Sequence, residues 1–234
     1  MKKEIFKIDK IIDDELFHER KNRRIKVDDI YDIENYLWDK GYKYIAGCDE
    51  VGRGPMAGPL VVASVILDKD NKIEGLNDSK KLTPKKREEL AKIIKEKAID
   101  YSITYIDVDE VDRINVLEAS RKGMYECLKK LKLKDFVLTD CMILDVDEKL
   151  LSIIKGDATS ATIAASSILA KVERDNFMVA LSKDYPVYGF EKHKGYVTKY
   201  HLDAIKKYGI CKYHRKSFDP VRKIIEKEGK ENGN

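Results

Sequence analysis

The chain has 234 residues, 43% of them hydrophobic and 38% charged, and its 46 basic residues against 42 acidic ones give a net charge of +4. That suits one sizeable domain, or a domain with an appendage, and leaves the distribution of charge rather than its sum to indicate partners. No apolar run reaches the roughly 18 residues of a membrane helix, and the charge-broken start MKKEIFKIDKIIDDEL lacks the core of a signal peptide. Cys48, Cys127, Cys141 and Cys211 form no C-x-x-C pair and lack a zinc-spaced histidine pair, as expected of reduced thiols in a cytoplasmic protein.

Residues 1–42 read as a helical N-terminal extension. Ile5, Ile8, Ile12 and Leu16 recur at helical spacing, and KVDDIYDIENYLWDKG predicts a second helix stopped by Gly41. This segment either packs on the main body or meets substrate through Arg20, Lys21, Arg23 and Arg24. From Tyr42 the texture changes. YKYIAGC and PLVVASVIL are β-branched and apolar and predict strands. LTPKKREELAKIIKEKA predicts a helix capped by Thr83, with Pro84 at its first position and Leu90, Ile93, Ile94 and Lys97 on one side. YSITYIDV returns to strand. NVLEASRKGMYECLKKL predicts a helix with Leu117, Met124, Leu128 and Leu131 on one face. DFVLTD is a short strand ending in Asp140. ATSATIAASSILAKVERDNFMVALS is a long helix whose small residues allow close approach to a sheet or another helix. Interleaved strands and helices predict an α/β class, and EKEGKENGN at the C-terminus reads as frayed.

Acids sit where α/β proteins gather function, at strand ends and helix starts. Asp49 and Glu50 follow YIAGC, Asp140 follows FVLT, and Asp157 precedes the long helix. Carboxylates converging on one point repel one another unless a cation neutralises them, and hard oxygen donors suit Mg²⁺ or Mn²⁺. Two such ions about 3.5–4 Å apart activate water and stabilise a leaving oxygen in phosphodiester hydrolysis. Each acid also has a plainer reading: Asp157 as a helix cap, Asp140 as a turn residue, Asp49 and Glu50 as solvent-facing loop residues.

The chain closely resembles the ribonuclease HII (type 2 ribonuclease H) family. The resemblance is carried in order by GCDEVGRGPMAGPLVVASVIL, GLNDSKKL, FVLTD, KGDATSATIAASSILAKVERD, YPVYGFEKHKGYVTKYHLDAIKKYG and HRKSF. It implies an RNase H-like mixed sheet flanked by helices, with the catalytic domain over 43–218 and a C-terminal helix and frayed tail over 219–234. It also implies a monomeric, Mn²⁺- or Mg²⁺-dependent endoribonuclease, not membrane-bound. The implied substrates are RNA–DNA hybrid and duplex DNA containing ribonucleotides. The family's four catalytic, metal-holding acids fall on Asp49, Glu50, Asp140 and Asp157. Its glycine–arginine–glycine motif falls on Gly52, Arg53 and Gly54, and the tyrosine it uses beside a ribose–deoxyribose junction falls on Tyr196. A non-catalytic hybrid-binding module is the alternative, and the intact acids argue against it.

With that resemblance, the opening motif reads as two acids that hold metal, followed by glycines that let the backbone approach a 2′-OH and by Arg53 for phosphate or sugar. Lys80, Lys81, Lys171, Lys192, Lys194, Lys199, Lys206 and Lys207 form an expected track for phosphates. His193, His201 and His214 are expected in phosphate or structural hydrogen-bond roles. The chain departs from the family at Cys141 and Val197, where glycine is usual, and it carries Ser166 beside Ser167. Where a family glycine used positive φ, strain or a small rearrangement is expected.

Overall fold

The computed structural model describes the backbone of Ile5–Lys7 and of residues 21–231, with side chains over 21–227. Strand β1 (Ile5–Lys7) pairs in parallel with β2 (Arg24–Lys26). A helix through Ile5 is therefore not formed: short apolar segments satisfy either period, and strand pairing decides this one. Ile8, Ile12, Leu16 and Arg20 lie outside the described residues. The second expected helix forms as α1 (Asp32–Asp39), and Gly41 beyond it takes φ +94°.

The main sheet holds five strands in the order β5-β4-β3-β6-β7 and is mixed, flanked by helices. They are β3 (Ile45–Val51), β4 (Leu60–Ile66), β5 (Asp100–Ile106), β6 (Phe136–Asp140) and β7 (Lys149–Ile153). Every residue of β4 is buried, which matches its almost wholly apolar sequence. The last strand, KLLSI, has no sequence signal beyond three apolar residues. It forms because β6 supplies a parallel partner, Phe136↔Lys149 through Asp140↔Ile153.

Between the strands run α2 (Pro84–Lys97) and α3 (Val108–Lys130). The Thr83 hydroxyl accepts from the Lys86 N–H at 3.2 Å, as its capping role requires. In α3 the face expected from Leu117 to Leu131 is buried except at its first member. Asn115 leaves helical geometry at φ 68°, ψ 164°, and its side chain accepts from the N–H groups of Leu117 and Glu118. Leu117, in the first turn after that break, is exposed, while Met124, Leu128 and Leu131 are buried. The long helix is α4 (Ala161–Asp184), followed by α5 (Phe190–His193), α6 (Lys199–Tyr208) and α7 (Asp219–Glu231). Helix α7 extends through Glu231, further than a frayed tail would. No described helix is long and apolar enough to cross a membrane.

The chain divides into two compact units. The first holds the described residues up to Glu50 with Val62–Thr104 and Gly123–Val172; the second holds Val51–Val61, Tyr105–Lys122 and the residues from Glu173 on. In the first, Ile25, Ile33 and Leu37 share a core with Ile45, Phe136, Leu138, Leu151, Ile153 and Ile163. In the second, Met56, Met178, Phe190, Ile205 and Val221 are central.

Candidate active site

Strand register sets the acidic group. Strands β3 and β6 pair in parallel with Cys48 opposite Thr139. The residues that follow, Asp49 and Asp140, therefore emerge level at the same end of adjacent strands. Asp157 arrives on a one-turn 3₁₀ segment (Gly156–Ala158) just before α4. A Cβ on Gly47 would lie 2.3 Å from the Thr162 carbonyl carbon, so only glycine lets β3 and the start of α4 touch backbone to backbone. The Ser64 and Ser166 hydroxyls both donate to the Gly47 carbonyl, at 2.8 and 2.9 Å.

Asp49, Asp140 and Asp157 each present an oxygen such that all three lie within 4.8 Å of one another. Asp49 and Asp157 are buried; Asp140 is half-buried and accepts the Gly156 N–H at 2.7 Å. Burial, then the charges of Glu50 and Asp140, push Asp49 well above the usual carboxylate range. Burial and the charge of Asp78 raise Asp157 against the opposing pull of Lys80. The Lys80 ammonium is 3.6 Å from Asp157 but largely exposed, so solvent screens that pair. Partial desolvation lowers Lys80, and Asp157, Asp78, Asp49 and Asp140 together raise it above its ordinary value. Glu50 is half-buried beside Asp49 and stands outside the group of three, contributing its charge. Converging hard oxygen donors, with Asp49 raised by its acidic neighbours, fit a divalent cation such as Mg²⁺ or Mn²⁺.

The second unit carries the glycine–arginine–glycine loop and the expected tyrosine. A Cβ on Gly54 would lie 3.5 Å from Cε1 of Tyr196, which places the tyrosine ring against the glycine–arginine–glycine loop. The backbone joins the two segments as well. The Met56 N–H donates to the Gly195 carbonyl at 3.0 Å, and a Cβ on Gly195 would sit 2.2 Å from the Ala57 oxygen. Tyr196 is 45% exposed, enough to present a stacking face, and Arg53 is exposed as well.

Beneath the loop lie two arginines that motif spacing did not single out. Arg174 donates to the carbonyls of Pro59, Lys194 and Ala57 at 2.9, 2.9 and 3.0 Å. Arg215 donates twice to Gly58, at 3.0 and 2.8 Å, and to Arg53 at 3.3 Å. Both are fully buried. Desolvation lowers Arg174 to about 10; desolvation and then the charge of Arg174 lower Arg215 to about 9. Their five donors per guanidinium let each organise several carbonyls at once, which lysine cannot do. In sequence they stand in VERD and HRKSF, where the charge reads as surface. Asp78 and Ser167 beside the acids were missed for the same reason: each is ordinary in isolation. Ser167 shares a 3.0 Å hydroxyl contact with Ser79 and hydrogen-bonds Asp49, holding it lower.

The expected lysines are less unified. Lys80 is at the acids. Lys171 is half-buried on α4, and Lys194, at φ 51°, turns its ammonium back to the Glu191 carbonyl. Lys192, Lys199, Lys206 and Lys207 are exposed. Arg23 is largely buried, its backbone bonded to Ser152 and Ile154.

The family model described as Ribonuclease HII matches residues 46–221. A Ribonuclease HII of Geobacillus sp. (strain WCH70) is 51% identical over 201 residues, covering 85% of this chain and 73% of that protein. One from Clostridioides difficile (strain 630) is 49% identical, covering 85% and 78%. Among solved structures, the ribonuclease H2 of Pyrococcus horikoshii OT3 superposes with a TM-score of 0.69 at 28% identity, covering 78% of this chain and 97% of its own. With its buried acids at the ends of β3 and β6 and its arginine-seated loop, the chain belongs to the ribonuclease HII family of endoribonucleases.

Proposed function

We propose that this chain hydrolyses the RNA strand of RNA–DNA hybrids and also cuts duplex DNA on the 5′ side of a single embedded ribonucleotide. The observation that carries the reading is the convergence of Asp49, Asp140 and Asp157, three mutually repelling carboxylates gathered at one point. Together with Glu50 they would hold Mn²⁺ or Mg²⁺, which supplies Lewis acidity to a water and to the departing oxygen. Lys80, beside Asp157, adds positive charge for phosphate. Gly52 and Gly54 open the backbone to a 2′-OH, Arg53 meets phosphate or sugar, and the exposed ring of Tyr196 stacks on the neighbouring deoxyribose. Water adds to phosphorus and the bond to the 3′ oxygen breaks, leaving a 3′-hydroxyl and a 5′-phosphate. The 2′-OH is read and is not the nucleophile.

The test is cleavage of a DNA duplex carrying one ribonucleotide, with and without Mn²⁺, followed by end-group analysis. Metal-dependent incision 5′ of the ribonucleotide is expected. Binding without cleavage would instead support a hybrid-binding module, and a 2′,3′-cyclic end would overturn the proposed chemistry.

A further inference from the structure

His201 and His214 are buried, and their Nε2 atoms face each other at 3.0 Å. In a neutral pair one facing nitrogen carries the proton and the other accepts. The outer nitrogens decide which. His201 Nδ1 lies 3.0 Å from the Tyr196 carbonyl oxygen, and a carbonyl only accepts. His201 therefore holds its proton on Nδ1, and its Nε2 is bare. His214 then carries its proton on Nε2 and leaves Nδ1 to receive the Cys211 N–H, at 3.0 Å. Donation runs in one direction, from Cys211 through His214 and His201 to the carbonyl of Tyr196. A third ring supports the pair. His193 stacks on His201 at 4.4 Å and 19°, its Nε2 donates to the Tyr188 carbonyl at 2.7 Å, and its Nδ1 accepts the Gly195 N–H at 3.2 Å.

We propose that His201 and His214 are positioning residues of the substrate-reading loop. Their fixed neutral tautomers hold the Tyr196 backbone, and with it the ring against Gly54, so that recognition of a ribose–deoxyribose junction depends on them while hydrolysis of a long hybrid depends on them little. The inference rests on the junction-reading role given to Tyr196 above.

Protonating either ring would set N–H against N–H or break the contact with Tyr196. Desolvation lowers both histidines to about 4. The titratable groups that face them are His193, Tyr188 and the Cys211 thiol, the last 3.2 Å from His214 Nδ1. Glu191 and Lys194 act with opposite signs on His193.

Long-range ¹H–¹⁵N spectra of the full chain test the tautomers directly. His201 is expected with its proton on Nδ1 and His214 with its proton on Nε2, both neutral at pH values down to about 5, and His193 with its proton on Nε2. His201 observed as the Nε2–H form, or as a cation at neutral pH, would overturn the proposal. The second test compares initial rates on the single-ribonucleotide duplex and on a long hybrid, so that effects shared by both substrates cancel in the ratio. The amide nitrogen of asparagine falls near Nδ1 of the histidine it replaces, that of glutamine near Nε2. His201→Asn should keep the ratio within about threefold of wild type, whereas His201→Gln should lower it about tenfold, the scale of one lost stacking contact. Tyr196→Ala run alongside separates the two ideas. If it leaves the ratio unchanged, the reading of Tyr196 fails. If it lowers the ratio and His201→Gln does not, only the positioning role fails. Should His201→Gln not fold, the tautomer spectra alone decide.

Discussion

Asp49 and Arg174 are both buried ionisable groups, yet Asp49 is surrounded by like charge and Arg174 by carbonyl oxygens. In the first unit Glu50 and Asp140 raise Asp49, leaving a concentration of negative charge that a cation would relieve. In the second unit the guanidiniums of Arg174 and Arg215 spend their donors on the backbone from Arg53 to Pro59 and on Lys194. A buried charge whose hydrogen bonds are complete is architecture; a buried cluster that repels itself is poised for a ligand.

The strongest way to break that contrast is to remove charge from the acidic group. Asp49→Asn or Asp140→Asn keeps the side-chain shape and should lower cleavage on the order of a thousandfold, roughly 4 kcal/mol of barrier. A readout apart from activity accompanies it. Mg²⁺ or Mn²⁺ should raise the melting temperature of the wild type by binding the folded state, about 2.7 kcal/mol of stabilisation at a hundred times Kd. Either variant should lose most of that increment while folding as well without metal, or better. Near-wild-type turnover at saturating Mg²⁺ would remove these acids from the metal site.

The arginines should respond in the opposite sense. Arg174→Met or Arg215→Met leaves buried carbonyls without donors and is expected to cost about 3 kcal/mol in folding free energy, measured as a shift in urea midpoint at constant slope. Metal should still stabilise the folded fraction, because the acids are untouched. A loss below roughly 1 kcal/mol would show that the loop does not depend on these donors.

Acid stability sharpens the comparison next. His201 and His214 titrate near 4 in the folded chain and near 6.5 when unfolded. Between those values the unfolded state binds more protons, so stability is fully present above about pH 6.5 and falls as pH drops toward 4. Each histidine can remove up to about 3 kcal/mol across that window. The double variant His201→Asn, His214→Gln carries no imidazole at either position and should lose less stability between pH 7 and pH 4.5 than the wild type does. Equal losses in urea titrations at the two pH values would show that the buried pair does not govern the acid limb.

Much of this was legible in the chain itself. Thr83 and Pro84 announce α2 by local chemistry, β3 and β4 announce themselves by β-branched and apolar composition, and the density of Ala and Ser in α4 anticipates its contact with Gly47. The acids, the glycine–arginine–glycine loop and Tyr196 followed from the family's motifs, though not the contact between Gly54 and Tyr196. What stayed hidden depends on partners distant in sequence. β7 exists because β6 offers an edge, and Ile5–Lys7 is strand because Arg24–Lys26 pairs with it. Arg174 and Arg215 look like surface charge until the carbonyls from Arg53 to Pro59 fold over them, and no spacing rule places His201 opposite His214.

The smallest expected effect lies at the two positions where the family usually carries glycine. The chain answers the two substitutions differently. Cys141 sits in the left-handed region at φ 51°, directly after Asp140, so the backbone still follows a glycine-like path and the side chain bears its strain. Val197 is absent from the positive-φ residues, so the turn after Tyr196 has settled into a conformation that valine accepts. Left-handed geometry costs a residue with a Cβ about 1 kcal/mol, whereas glycine at an ordinary φ costs a similar amount through the entropy of the unfolded chain. Cys141→Gly should therefore stabilise by roughly 0.5 kcal/mol, and Val197→Gly should destabilise by about 0.5–1 kcal/mol. Both differences are measurable as urea midpoints on otherwise identical proteins. Opposite signs are the expected result; the same sign at both positions would mean that the backbone at one of them is not as described.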